Sequence, residues 1–480
     1  VICKFFIRKI IKGNESLSIY KILNTLLTSQ LIFSPLKVKI NFEMPKVWIE
    51  TFGCQMNEWD SQAMLGVLRR EGWEATTSPE EADLLLINTC SVRKKPEEKA
   101  LSVLGYLTKL KREKPHILVG VAGCMAQRMG DELLKRFPLI DFVLGTGQVQ
   151  NITSIVDRAR TRKVVALQIN GCAPTLPTLR EKPFQAYIPI IFGCDNFCSY
   201  CIVPFVRGRE RSRPLREIVE EAKNLIEEGV LEITLLGQNV NAYGRDLEEG
   251  YTFADLLYAL GELPIKRIKF TTSHPKGFSP ELIKAIASIP AVCHWIHLPI
   301  QSGDDKILKA MRRGYTISQY KSLVEEIREN IPDVSITTDV MVGFPGEGEE
   351  EFRNTLRIFE EIEFDQAFMF AFSPRPGTLA ERMEGQVEQK EKMRRLKELI
   401  SLQNEISRKK NLKILGKTLE VLVEGEDPKG KGFLVGKSRE NKTVVFPGER
   451  KLIGKLVRVR TKEAFLWGFK GDIENGEGER

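Results

Sequence analysis

No stretch of this sequence approaches the roughly 20 uninterrupted apolar residues of a membrane-spanning helix, so no such span is expected. A leader with a small-residue cleavage site is also missing. The nine cysteines are odd in number, and a chain of 480 residues is too long to depend on disulfide staples. These absences point to a reducing, cytoplasmic setting in which thiolates bind metal rather than each other. Charge of one sign is not in large excess either: 72 Lys and Arg against 64 Asp and Glu leave a formal charge of +8. The excess is uneven, because residues 411–470 hold 14 basic and 7 acidic side chains. Such a segment suits a nucleic-acid-facing module, with a solvated basic surface as the plainer alternative.

With 42% hydrophobic and 28% charged residues the composition is that of a globular protein, and the length implies two or three domains. Residues 1–43 hold seven Lys or Arg and two Glu. They read as a basic, transit-like segment or as sequence ahead of a start at Met44, and residues 1–44 carry no assigned function. From Lys46 the pattern alternates strand and helix. Strands are expected at Lys46–Phe52, Leu84–Ile87, Ile117–Ala122 and Phe142–Leu144, with a helix near Glu58–Glu71. This alternation indicates a parallel sheet covered by helices, over residues 46–162. Residues 163–183 contain Pro174, Pro177 and Pro183 and read as a linker.

A second, larger α/β unit follows over residues 184–410. Its strands are expected at Ala186–Ile191, Glu232–Leu236, Arg267–Thr271, Trp295–Leu298, Ser335–Val342 and Gln366–Phe372, forming a partial or complete (β/α) barrel. A charged helix near Glu388–Lys413 closes it. Residues 411–475 then turn to short strands, at Thr418–Val423, Gly432–Gly436, Thr443–Phe446, Leu456–Thr461 and Phe465–Phe469, as in a small β-barrel.

The strongest chemical signal is Cys194, Cys198 and Cys201, spaced C-x3-C-x2-C directly after a strand. Three thiolates on one loop can ligate three irons of a 4Fe–4S cluster and leave the fourth open, where S-adenosylmethionine can bind. A zinc knuckle is the alternative, but structural zinc takes four N or S ligands and no fourth Cys or His lies nearby. Cys54, Cys90 and Cys124 each follow a strand of the first unit. In a parallel sheet such positions gather at one rim, where ligands bind, so these three are candidate ligands of a second open cluster. Each alone would read as a small buried residue. Cys3, Cys172 and Cys293 lack such company and read as structural or incidental.

Three turns after later strands supply candidate S-adenosylmethionine contacts: Gly237 and Gln238, then Gln301 and Ser302, then Gly343. Each alone reads equally well as an ordinary loop. His274 and His297 read as structural histidines rather than general bases. The run from Arg207 to Pro214 holds Arg207, Arg209, Arg211 and Arg213 near the cluster loop, where they can bind RNA phosphates or form a solvated, ion-paired surface.

These motifs resemble the methylthiotransferase family of radical S-adenosylmethionine enzymes, from Lys46 to about Gly471. Several stretches resemble its tRNA 2-methylthio-isopentenyladenosine synthase branch. They are Phe52-Gly53-Cys54-Gln55-Met56-Asn57, Asn88-Thr89-Cys90, Leu236-Gly237-Gln238-Asn239-Val240-Asn241, the arginine run, and Phe368-Met369-Phe370 with Ser373-Pro374-Arg375-Pro376-Gly377-Thr378. The resemblance implies an amino-terminal cluster domain, a radical core and a carboxy-terminal TRAM domain. It implies two 4Fe–4S clusters and two S-adenosylmethionine molecules per turnover. The trio at Cys194, Cys198 and Cys201 would generate a 5′-deoxyadenosyl radical, and the trio at Cys54, Cys90 and Cys124 would deliver sulfur to C2 of isopentenyladenosine. Partners implied are the tRNA anticodon stem-loop and an electron donor such as flavodoxin or ferredoxin, with the enzyme a monomer. A sibling acting on threonylcarbamoyl-adenosine or a ribosomal-protein aspartate, and an iron–sulfur RNA-binding scaffold, are the rival readings.

Overall fold

The computed structural model describes residues 44–91, 94–169 and 175–474. The extension ahead of Met44, Cys3 and Cys172 lie outside them. The remainder from Pro45 onward is one compact unit.

Its first part is a six-stranded parallel sheet in the order β2-β1-β3-β4-β5-β6. The strands are β1 (Lys46–Phe52), β2 (Glu74–Ala75), β3 (Leu84–Thr89), β4 (Leu118–Gly123), β5 (Phe142–Leu144) and β6 (Val164–Ala166). Every residue of β3, β4 and β5 is buried. That is why they read as continuous apolar runs rather than alternating ones: helices cover both faces. Helix α1 (Gln55–Arg70) starts three residues earlier than its apolar periodicity suggests, because Cys54 is extended and its N–H reaches the Asn57 side chain as an N-cap. The expected linker at residues 163–183 is corrected at its start. Val164 and Ala166 are buried and pair with β5 as the sheet's edge strand, so irregular chain begins after them.

The second part is an open barrel of six parallel strands. One half is β7 (Gln185–Pro189), β10 (Glu232–Leu236) and β11 (Arg267–Phe270); the other is β12 (Trp295–His297), β13 (Ser335–Val342) and β14 (Gln366–Ala371). A parallel bridge from Ile268 to Val292 joins the halves. Of the two outcomes expected from the sequence, the barrel is the partial one. Two short strands, β8 (Ile191–Phe192) and β9 (Arg211–Ser212), pair antiparallel and bracket the cysteine loop. The third part is a closed five-stranded barrel in the order β15-β16-β17-β19-β18. Its strands are β15 (Thr418–Glu426), β16 (Phe433–Ser438), β17 (Thr443–Pro447), β18 (Leu456–Phe465) and β19 (Gly468–Ile473). Among the described residues no helix is long and apolar enough to cross a membrane.

Charged side chains fasten the small barrel to the core. Buried Arg267 donates to Glu420 Oε1 at 2.8 Å and to the Lys437 carbonyl at 2.9 Å. Asp365, just before β14, takes Lys410 at 2.7 Å and Lys442 at 3.2 Å. Burial pushes the Asp365 carboxyl up, but the Lys442 and Lys410 ammoniums outweigh it and hold it below its ordinary value. Burial lowers Lys410 at the same time, which the Asp365 carboxylate opposes. A depressed carboxyl adds stability above its unfolded pKa, about 3.9, and that stability is lost as pH falls through the folded value. Asp365→Asn is therefore expected to lower unfolding stability by about 3 kcal/mol at neutral pH. In urea unfolding at a series of pH values the gap from wild type should narrow below about pH 4. A gap that does not change with pH would assign the effect to another group.

Candidate metal centres

The rim trio follows from strand register. Phe52 pairs with Thr89 and Thr89 with Gly123, so Cys90 and Cys124, each one residue further on, and Cys54, two residues further on, leave three neighbouring strands at the same rim. Cys54 is exposed, whereas Cys90 and Cys124 are buried. Asn57 and Asn88 lock the rim: Asn88 Nδ2 donates to the Asn57 carbonyl at 2.8 Å and to Ser61 Oγ at 2.9 Å. Gly123 has φ +89°, and a Cβ there would stand 2.3 Å from Asn88 Oδ1, so the close approach of β4 to this lock requires glycine. The Cys54 thiol is lowered to about 6, first by its hydrogen bond with Cys90 and further by Arg207. Burial raises Cys124, which Arg207 opposes.

The loop trio sits between β8 and the five-residue helix α2 (Val203–Arg207). Cys194 N–H donates to the Gly208 carbonyl at 3.1 Å and Cys201 N–H to the Cys198 carbonyl at 2.9 Å. Gly193, at φ +78°, passes so close to Arg209 that a Cβ would lie 2.0 Å from its carbonyl oxygen. Burial drives the thiols up, Cys194 to about 11 and Cys201 to about 12, with the neighbouring Cys198 adding to both.

Each trio has one buried arginine beside it. Arg207 holds Asp60 of α1 at 2.6 Å, with both side chains almost fully buried. Burial would lower Arg207, but Asp60, Cys124 and Cys54 hold it well above its ordinary value. Arg313 donates to Cys198 Sγ at 3.4 Å and to the Pro299 carbonyl at 3.1 Å. Among the described residues no three His, Cys, Asp or Glu side chains close round a single ion. A cubane takes one thiolate per iron and spreads its ligands over its corners, and it carries net negative charge that a buried cation offsets. Three thiols with an adjoining arginine therefore fit such a cluster at both places. Sequence reasoning missed Arg313, and it placed Arg207 in the arginine run rather than beside the rim thiols.

The turns expected to contact S-adenosylmethionine lie at strand ends of the barrel, but their polar groups are largely used within the turns. Gln238 Oε1 accepts from Gly193 N–H and so braces the cysteine loop. Gly343 N–H donates to Glu347 at 2.7 Å. Gln301 N–H bonds to the Asp339 carbonyl at 2.8 Å, and Ser302 Oγ accepts from Asp304 N–H at 3.3 Å. Gly237 fits tightly against Ile191 and Val240. Unused polar atoms lie elsewhere: among the described residues Asn239 Oδ1, Ser273 Oγ and His274 Nε2 are buried without a partner, beyond the ends of β10 and β11. Burial, then the Arg313 charge, lowers His274 to about 2, so it is neutral. His297 is fully engaged, with Thr337 at 3.0 Å and Asp339 at 3.4 Å, as a structural histidine is. Cys293 is buried, and desolvation raises its thiol to about 11.

The arginine run needs correction as a phosphate-binding surface. Arg207 is consumed by Asp60, and Arg213, also buried, by Glu221 at 2.7 Å. Arg211 donates to the Arg209 and Arg207 carbonyls. Arg209 alone is exposed.

Models of three families match the chain: the Radical SAM superfamily over residues 188–359, Uncharacterized protein family UPF0004 over 46–145, and the TRAM domain over 413–467. It is 45% identical over 435 residues to the tRNA-2-methylthio-N(6)-dimethylallyladenosine synthase of Moorella thermoacetica, covering 89% of this chain and 98% of that protein. The protein of the same name from Dictyoglomus thermophilum is 47% identical over 436 residues, covering 90% and 99%. Among solved structures, the radical S-adenosylmethionine methyltransferase TsrM from Kitasatospora setae, with cobalamin and a 4Fe–4S cluster bound, aligns at TM-score 0.51 and 15% identity. That alignment covers 71% of this chain and 77% of that one, a likeness of fold.

Arg207→Met would leave Asp60 buried without a cation and is expected to cost about 3–5 kcal/mol in denaturant unfolding. Adding Asp60→Leu should recover most of that loss, because the pair is then replaced by apolar side chains. A double variant no more stable than the single one would mean that the arginine acts mainly through the thiols.

Proposed function

The chain belongs to the tRNA-2-methylthio-N(6)-dimethylallyladenosine synthase family, and from that premise we propose how its residues carry out the reaction. It is a radical S-adenosylmethionine methylthiotransferase that modifies C2 of isopentenyladenosine in tRNA, using two 4Fe–4S clusters and S-adenosylmethionine. The observation that carries the residue assignment is the pair of cysteine trios, each with its own buried arginine, held to one another through α2. Cys194, Cys198 and Cys201 hold the radical cluster; Cys54, Cys90 and Cys124 hold the auxiliary one. When bound, the first supplies the 5′-deoxyadenosyl radical with S-adenosylmethionine, and the second supplies the sulfur.

The protein's own part is placement and charge. Arg313 donates to Cys198 Sγ and offsets thiolate charge on the radical side, as Arg207 does at the rim. Asn239, Ser273 and His274 offer unused polar atoms to the ribose or methionyl group of S-adenosylmethionine, and a neutral His274 adds no like charge beside Arg313. Gly237, Gln238, Gln301, Ser302 and Gly343 then shape the turns round that space. On the small barrel, Arg450, Lys451 and Arg458 are well exposed and suit RNA phosphates. A monomer served by flavodoxin or ferredoxin completes the reading, and we assign it to the cytoplasm, where tRNA and reduced thiols coexist.

Cys198→Ala is expected to abolish release of 5′-deoxyadenosine by the reduced protein. Cys90→Ala should keep that release and lose methylthio product, read by mass spectrometry of the tRNA nucleosides. Full product from Cys90→Ala would remove the rim trio from the reaction. A deletion strain with unchanged methylthio-isopentenyladenosine would overturn the substrate.

A further inference from the structure

The loop that carries Cys194, Cys198 and Cys201 also leaves two large aromatic rings in solvent. Phe197 is 36% exposed and Phe205, on α2, is 58% exposed. They meet edge to face with centroids 6.4 Å apart. The Arg209 guanidinium lies 5.2 Å above the Phe197 ring, tethered to Asp195 at 2.7 Å, and its side chain is 71% exposed. Phe197 has φ +46°, a left-handed conformation that is strained for an aromatic residue. Packing does not explain this arrangement, since neither ring belongs to a core cluster.

We propose that Phe197, Phe205 and Arg209 form a stacking platform for an unpaired nucleotide of the RNA substrate, next to the adenosine that is modified. The inference rests on the tRNA reading above and goes beyond it by assigning the contact. A nucleotide carries a π-face and an anionic phosphate in one repeat unit, which matches exposed rings with a fixed cation between them and solvent. An acidic protein docking here would need several exposed cations, and the run offers one, because Arg207 and Arg213 are buried in ion pairs. The strained φ at Phe197 holds its ring beside the loop cysteines, where a flanking base would lie.

The test uses the full-length, cluster-loaded protein and an anticodon stem-loop RNA with isopentenyladenosine and 2-aminopurine at the adjacent position. Wild type should quench the 2-aminopurine on binding. Phe205→Ala should weaken Kd about ten-fold and lose the quenching, and Phe205→Trp should restore both. Phe197→Leu, which keeps apolar volume but removes the π-face, should behave like Phe205→Ala. Iron content and thermal midpoint check that the variants are folded. Unchanged Kd and quenching in both ring variants would overturn the platform. So would intact RNA binding with slowed cluster reduction by flavodoxin but not by dithionite, which would make the patch a protein-docking site. Wild type that binds no stem-loop at all would instead overturn the tRNA reading on which the platform rests.

Discussion

An arginine without water around it must face negative charge, and Arg207 meets that requirement from two directions. Its guanidinium reaches Asp60 in the first sheet's helix and lies beside the rim thiols, while its backbone belongs to the helix that follows the radical-loop cysteines. Removing either the acid or the thiols would leave a buried charge poorly paired, so the first domain and the barrel are tied by electrostatics as well as by packing. The same constraint recurs at Arg313, whose partners are Cys198 and two groups of the barrel wall, the Pro299 carbonyl and the Tyr315 hydroxyl. In each place the cation is part of the protein, so an anionic cluster held by these thiols would enter a site that is already compensated. Such a site reorganises little on binding.

Around this, backbone geometry does the rest. Parallel strands bring their carboxyl ends to one edge whatever the sequence between them, so three cysteines far apart in the chain meet once β1, β3 and β4 pair in register. The Asn57–Asn88 lock and the glycine at position 123 keep that edge tight. The loop trio depends less on register, because all three thiols lie within eight residues of chain. There the constraint is local: Gly193 and Gly208 have positive φ, and the loop is pinned by Gln238 and by the Cys194–Gly208 hydrogen bond.

That difference explains which parts of the molecule are legible in its sequence. The shared loop of Cys194, Cys198 and Cys201 is legible from spacing alone, and the common rim of Cys54, Cys90 and Cys124 from each cysteine's place after an apolar run. The strands themselves were legible to within a few residues wherever burial on both faces made them continuous. β6 was not, because three residues form a strand only when β5 is beside them. β19 begins at Gly468 rather than Phe465, because the hairpin turn takes Leu466 and Trp467, which carry no strong turn signal. The arginines were the least legible. Four of them in seven positions look alike as sequence, yet Arg207 finds Asp60 from 147 residues away, Arg213 finds Glu221, and Arg209 stays in solvent. Partner and burial are tertiary properties, and they invert the meaning of the same residue type.

The division of labour among those arginines bears on how the loop beside Cys194, Cys198 and Cys201 presents charge to solvent. If all four were exposed, the cluster mouth would be a broad cationic surface that attracts RNA without fixing its position. Burying Arg207 and Arg213 in ion pairs removes them from that surface and gives them structural work. What remains at the mouth is a single cation over a ring, a contact with direction as well as charge. The exposed basic groups of the small barrel would then supply the less directional attraction from a separate domain. In the proposed reading affinity and register fall to different parts of the chain, and the base to be modified would be positioned by the same short loop that carries Cys194, Cys198 and Cys201.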